Sequence, residues 1–392
     1  MLVQAPPPRA TRPAQGFARH PAIDALRGAA ILCVVLRHMQ IHIPQEQSLL
    51  GKILPAPLFN LLFHSGYYGA IIFFVISGFL ITRTSIQRWG RLETIPCSGF
   101  LWRRGARLYP CLLLVSLLLG LHQAGLPDFI ISDASPGQAA ADALAFRLNG
   151  LDANVGHLPP TWNLLWSLSL EQAFYLAFPL LCLLSRQVSR HALALTLLLV
   201  MMLGPFVRAL SGDDEIRALH GYLSGMGGIA IGCLAALYAA RPASHMSHHR
   251  TLLLIGTVLF VLVFFLRQAT ATLGLTALGL HITALEIGVA CLLLGWSLRP
   301  HSARPALLAP LRWAGRNSYE ISLTHMFPVW LLAAASCRSS GGVVATWWRA
   351  GALTAAGVLA ILLSAVLGGL VARWFSSPMR RWLNHIGPRT TR

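Results

Sequence analysis

Ile23–Ile43 reads IDALRGAAILCVVLRHMQIHI. The stretch is long and apolar enough to cross a bilayer, which takes about 20 residues, yet Arg27, Arg37, His38 and His42 lie inside it. A charge in hydrocarbon costs at least ~2.5 kcal/mol, so an ionisable residue at such a depth is a functional-site hypothesis by default. Arg27 and His38 are eleven positions apart. That is about three turns, so both project from nearly the same face, roughly 16 Å apart along the axis. One membrane helix therefore carries a cation near one surface and a titratable base deeper inside, both facing the same way.

Working outward, stretches of this kind recur. Hydrophobic residues make up 55% of the 392 and charged residues 11%, a balance that excludes an ordinary soluble globule. Ten stretches of about 20 residues can span a bilayer: roughly 24–44, 66–82, 108–126, 163–184, 192–210, 218–239, 251–266, 276–298, 317–336 and 351–373. The expected fold is all-α, a polytopic transmembrane bundle of about ten spans with both termini cytoplasmic. It divides into a cytoplasmic tail (1–22), a membrane domain (23–382) and a second cytoplasmic tail (383–392). Segment 1–22 has no small-residue cleavage site after its apolar run, and reads as a tail before a retained helix.

The net charge of +18 could suggest nucleic acid, but its distribution argues otherwise. With the basic amino terminus inside and sides alternating, inner segments hold 22 of the 31 Lys+Arg, six of them in 83–107. Outer segments hold seven, Arg208 among them, together with 8 of the 13 acids, including Asp128, Asp133, Asp142, Asp152, Asp213, Asp214 and Glu215. That is the positive-inside rule across ten spans; no nucleic-acid partner is expected, and membrane lipids are the surroundings. Of seven cysteines, five fall in apolar helices, so neither a disulfide framework nor a cysteine-rich metal site is expected. His245, His248 and His249 have no acidic or cysteine ligand nearby, and no metal is assigned.

Several blocks carry polar groups into this apolar frame. GYYGAIIFFVISGFLITR (Gly66–Arg83) has small residues that allow close helix approach; packing is the first reading for Ser77. FLWRRGARLYP (Phe100–Pro110) places Arg103, Arg104 and Arg107 at i, i+1 and i+4, so that on a helix Arg103 and Arg107 share a face. Arginine forks bind phosphate bidentately; the same residues also serve as inner-face charge beside headgroups. TWNLLWSLSLEQAFYLAFPLL (Thr161–Leu181) puts Glu171 roughly 13 Å below the outer surface, where it needs a partner. RWAGRNSYEISLTHMFPVW (Arg312–Trp330) holds Tyr319, Glu320 and His325 in an apolar run. GYLSGMGGIAIG (Gly221–Gly232) is a packing face, since no strand precedes it and no Lys follows.

Five of these blocks in order resemble the acyltransferase-3 family of membrane acyltransferases: LRGAAILCVVLRH (Leu26–His38), GYYGAIIFFVISGFLI (Gly66–Ile81), FLWRRGARLYP, WSLSLEQAFYLAFP (Trp166–Pro179) and AGRNSYEISLTHMFP (Ala314–Pro328). Each block alone is weak; five in order from 23 to about 380 make a strong resemblance. It implies an integral membrane O-acyltransferase, multi-pass in the cell inner membrane. Such an enzyme moves an acyl group, acetyl as the usual one, from cytoplasmic acyl-CoA to a hydroxyl of a cell-surface or exported carbohydrate or glycolipid. By resemblance, Arg27 and His38 match the arginine and histidine of the family's first helix. Arg103, Arg104 and Arg107 match its basic inner motif, and Glu171 its fourth-span acid. Two departures are visible. Ile71 stands where members often carry a polar residue, and FSSPMRR (Phe375–Arg381) has serines where an acid commonly precedes the proline.

In that setting Arg103, Arg104 and Arg107 hold the acyl-CoA phosphates, and neutral His38 accepts the proton of the attacking hydroxyl. Glu171 orients or charge-stabilises the imidazole as a triad carboxylate does, and Arg27 stands near the start of the channel. Ser77, His325 and Tyr319 are supporting candidates. Direct transfer and a transient acyl-histidine both satisfy the sequence. The competing class is a transporter or flippase using intramembrane Arg, His and Glu as a proton relay. It lacks the pair of matching broken helices that an inverted repeat would show.

Overall fold

In the computed structural model the chain is all-α among the residues it describes: 20–125, 141–142, 145, 165–188, 191–211, 221–241, 248–266, 270, 272, 274, 279–298, 305–338 and 346–388. The amino-terminal tail before residue 20, nearly all of the 127–162 connection and the acidic cluster Asp213–Glu215 lie outside them. The helices are α1 (Pro21–His42), the short α2 (Leu49–Ile53) and α3 (Ala56–Phe63), α4 (Gly66–Trp89), α5 (Cys97–Gly125), α6 (Trp166–Val188), α7 (Ala192–Leu210), α8 (Tyr222–Ala239), α9 (His249–Phe265), α10 (Leu280–Ser297), α11 (Ala309–Arg316), α12 (Ser318–Thr324), α13 (Met326–Arg338), α14 (Thr346–Val371) and α15 (Ser377–Ile386). Among the described residues six helical segments have the length and apolarity to cross a membrane: α4, α6, α7, α8, α10 and the run from Trp347 to Ile386. The chain is a membrane helical bundle.

Small residues set how closely the central helices approach. A Cβ on Gly78 of α4 would collide with the Ile229 carbonyl of α8, and one on Gly232 of α8 with the Val75 carbonyl of α4. The glycine spacing of α8 is therefore a backbone-to-backbone seam, as small residues make in bilayers where apolar burial offers no drive for association. Gly28 meets the Leu311 carbonyl of α11 and Gly66 meets the Arg37 stem of α1 in the same way. α1 is thus gripped between α4 and α11. Because Gly66 faces Arg37 while Gly69 faces Ala30 and Val34, α1 and α4 run antiparallel, and the start of α4 lies level with the last third of α1.

The 317–336 stretch, expected as one span, is broken. Its two helices, α12 and α13, meet at His325. Pro328 supplies no N–H for the carbonyl of Thr324 four residues earlier, and its ring crowds that carbonyl. The Ile321 carbonyl takes the backbone N–H of His325 at 3.0 Å, the His325 ring turns Nδ1 to the Ser322 and Ile321 carbonyls, and the Ser364 hydroxyl of α14 reaches the His325 carbonyl at 3.4 Å.

A second correction concerns Arg208, counted with the outer segments in the sequence. It sits within α7 and is 4% exposed. Its Nη1 donates to the Ser224 carbonyl at 2.8 Å and its Nη2 to the Thr283 hydroxyl at 2.7 Å. Glu286 of α10 lies 3.7 Å from Nη1 and is fully buried. This is an interior ion pair tying α7, α8 and α10 together.

Candidate active site

Two cavities share a wall. The first, of about 350 Å³, runs between α1, α4, α5, α6 and α12. Arg27, Arg37 and His38 of α1 all line it, as expected of residues projecting from adjoining faces of one helix. The second, of about 600 Å³, opens beside α11 and α15. Arg27, Leu80, Arg104, Arg107 and Tyr319 line both, so the two cavities adjoin across these side chains.

The adjoining cavities have distinct levels. At one end the α1 residues Arg37 and Ile41 stand beside Gly66 and Tyr67 of α4 and Trp166 of α6. Tyr67 and Trp166 stack with centroids 6.2 Å apart and planes at 17°. About 16 Å along α1 from His38, Arg27 donates to the Ser318 hydroxyl at 2.9 Å. Ser77 and Tyr175 share a hydrogen bond of 2.8 Å across α4 and α6. Beyond them Arg104 lies over the rings of Tyr175 and Phe100, at 5.0 and 5.6 Å from their centroids. Tyr319 donates to the Leu108 carbonyl at 2.7 Å. The second cavity adds Arg316 and Arg380, against the acids Asp24 and Glu320, so five arginines line this end.

The tautomers of the two central histidines follow from their neighbours. His325 Nδ1 faces the Ser322 carbonyl at 2.7 Å and the Ile321 carbonyl at 3.2 Å. Carbonyl oxygens only accept, so Nδ1 carries the proton and Nε2 of the neutral ring bears a lone pair. That lone pair faces His38 Nδ1 at 3.2 Å, and the Val34 carbonyl lies 3.0 Å from the same atom. His38 Nδ1 therefore carries a hydrogen shared between two acceptors, and its Nε2 lone pair is left free beside the cavity. A base held by its distal N–H is the arrangement that fixes a catalytic imidazole.

Several residues fall differently from the sequence expectation. The partner of His38 is His325, fully buried and 287 positions away. Glu171 lines the first cavity within electrostatic reach of Arg104 and Tyr175, but makes no hydrogen bond or ion pair among the described residues, with His38 or otherwise. Arg103 lines neither cavity; Arg104 and Arg107, three apart, are the pair that faces both cavities. Ile71 is fully buried and lines neither cavity. Tyr175 went unread in the sequence, although it lies one turn after Glu171 on the same face. Arg316 and Arg380 were read only as inner-face charge, and no local signal separates them from the other arginines there.

The model of the Acyltransferase domain family matches residues 20–374. The chain is 26% identical over 382 residues to the "Putative peptidoglycan O-acetyltransferase YrhL" of Bacillus subtilis, covering 92% of this chain and 55% of that protein. It is 24% identical over 382 residues to the "Peptidoglycan O-acetyltransferase OatA" of Listeria monocytogenes, covering 92% and 56%. Identity to the "O-acetyltransferase OatA" of Staphylococcus aureus is 29% over 233 residues, 55% of this chain and 34% of that one. The chain spans about half the length of the curated relatives it matches along its full extent. No solved structure matches.

Proposed function

The chain belongs to the Acyltransferase domain family, and from that premise we propose that it is a multi-pass inner-membrane O-acetyltransferase. The donor is cytoplasmic acetyl-CoA and the acceptor a hydroxyl of a cell-surface glycan, with peptidoglycan the acceptor class suggested by the relatives' names. The observation that carries this reading is the pair of adjoining cavities, one arginine-rich and one reaching the His38 lone pair, with about 16 Å of helix between Arg27 and His38. A large polyphosphate donor suits the first, and its acyl arm can reach the second.

Arg104 and Arg107 hold the donor phosphates, with Arg316 and Arg380 around the wider cavity. The arm of the donor passes Arg27 and the Ser77–Tyr175 pair, whose hydroxyls offer hydrogen bonds to its amides. The thioester carbonyl then lies beside His38. The acceptor oxygen attacks the carbonyl carbon as His38 Nε2 takes its proton. The tetrahedral intermediate collapses, the C–S bond breaks, and His38 returns the proton to the departing sulfur. Direct transfer is favoured over an acyl-histidine, because one nitrogen can serve as base and then as acid without leaving its place. His325 positions the ring and supports the transient imidazolium through its Nε2 lone pair.

The first test is of the donor end. Purified protein should transfer radiolabel from acetyl-CoA to a glycan acceptor. Arg104→Ala with Arg107→Ala should raise the acetyl-CoA KM at least tenfold with expression intact, and lysines should restore only part, since they lose the bidentate contact. Unchanged donor affinity in the double variant would return these residues to a purely topological role.

The second test is of orientation. On the proposed reading the arginine excess puts both termini and segment 83–107 in the cytoplasm, with ten crossings between. Cysteine-accessibility labelling should find Arg103→Cys and Asp142→Cys on opposite sides of the membrane. Labelling of both from one side would end the ten-span topology.

A further inference from the structure

Of the arginines lining the first cavity, Arg37 and Arg107 make no hydrogen bond, ion pair or ring contact among the described residues, and Arg107 stands at the donor end. Arg208 has Glu286, Arg27 has Ser318, and Arg104 lies over two aromatic rings with Glu171 in electrostatic reach. Arg37 lines the catalytic cavity and makes no hydrogen bond, ion pair or ring contact among the described residues. No acid lines the cavity at its level; the one lining acid, Glu171, is about 8 Å further along α6 than Trp166. A cation in a membrane helix facing a cavity without a counter-charge is costly, and such residues pair with their own kind of partner or with substrate. Gly66 packs against the Arg37 stem, and holds the side chain at this level. Beside it the Tyr67–Trp166 stack presents aromatic surface to the same cavity, the kind of flat amphipathic face on which a sugar ring lies. His38, with its free Nε2, is the next residue along the chain.

Resting on the acetyl-transfer reading, we infer that Arg37 with Tyr67 and Trp166 forms the acceptor subsite, and that it selects a sugar carrying an anionic group, a carboxylate or a phosphate, near the hydroxyl that is acylated. The guanidinium binds the anion as a fork, the ring lies against the aromatic pair, and the hydroxyl is thereby brought to His38. The donor's own phosphates stay at the opposite end, where Arg104 and Arg107 hold them, so the two anionic substrates do not compete for one arginine cluster.

The test uses the full chain in detergent, with three trisaccharides of N-acetylglucosamine type. One is neutral, one carries a lactyl carboxylate on its last ring, and one carries a phosphate on its anomeric oxygen. Binding is measured on the His38→Ala protein, and acetyl transfer from acetyl-CoA on the protein with His38 intact. At least one anionic sugar should bind ten- to a hundredfold more tightly than the neutral one. Arg37→Gln should abolish that preference, and Arg37→Lys should restore part of it, while acetyl-CoA affinity is unchanged in both. The two anionic arms separate a carboxylate sugar from a phosphate-linked one. Equal binding of all three sugars, or a preference that survives Arg37→Gln, would overturn the proposal. Arg37-dependent binding without any acetyl transfer would leave the anion subsite standing and remove the transferase reading instead.

Discussion

Replacing His38 with alanine is expected to lower turnover by about 10²–10⁴-fold while acetyl-CoA still binds. The size follows from the ring's position. Its Nδ1 hydrogen is committed to Val34 and His325, so Nε2 is the one lone pair at this level placed to take a proton from a hydroxyl. His38→Gln should not rescue, because an amide cannot accept that proton. The rate should fall as the pH is lowered, since protonation of Nε2 removes the base. His325→Ala should cost less, because the Val34 carbonyl still holds Nδ1. A His38→Ala protein that folds, binds acetyl-CoA and acetylates at near the parent rate would end this mechanism; a His325→Ala protein at the parent rate would reduce His325 to a packing residue.

The second large effect is on stability. Glu286→Ala or Arg208→Ala should each destabilise the protein by about 3–5 kcal/mol, because either leaves a lone charge in the interior. The pair is fully inside, at 2% and 0% side-chain exposure, so solvent does not screen it. Glu286 is already poorly satisfied: neither of its oxygens has a hydrogen-bond partner among the described residues. Replacing both partners together, Arg208→Met with Glu286→Leu, should therefore recover most of the loss or exceed the parent. Chemical denaturation in detergent reads both results. Single variants as stable as the parent would mean that the carboxyl is neutral and the contact is no ion pair.

Membrane character and the helical blocks were legible because bilayer thickness imposes a long apolar period that few other folds share. The Arg27–His38 face was legible because eleven residues is close to a whole number of turns. The rest depends on geometry that one helix cannot report. Arg103 and Arg104 are neighbours 100° apart on α5, and the sequence offers no means of knowing which side of that helix meets α4 and α6. The pairing of His38 with His325 requires the break before Pro328 and the packing of α12 against α1, both of which a continuous apolar run conceals. Arg208 near the end of a hydrophobic stretch reads as loop charge; only the crossing of α7, α8 and α10 brings Glu286 to it. Tyr175 was visible in principle, one turn from Glu171, but aromatic residues in membrane helices are too common to single one out.

The two adjoining cavities, as the donor and acceptor ends of one reaction, have an electrical consequence. On the proposed reading a neutral thioester and a neutral hydroxyl become a neutral ester and a neutral thiol, each staying on its own side of the bilayer. Formally an acyl cation travels outward while a proton travels inward along the same route, by way of a single imidazole. The exchange moves no net charge, so neither the membrane voltage nor a proton gradient enters its driving force. The thioester alone supplies the free energy, and the site can work in a membrane that holds no potential at all.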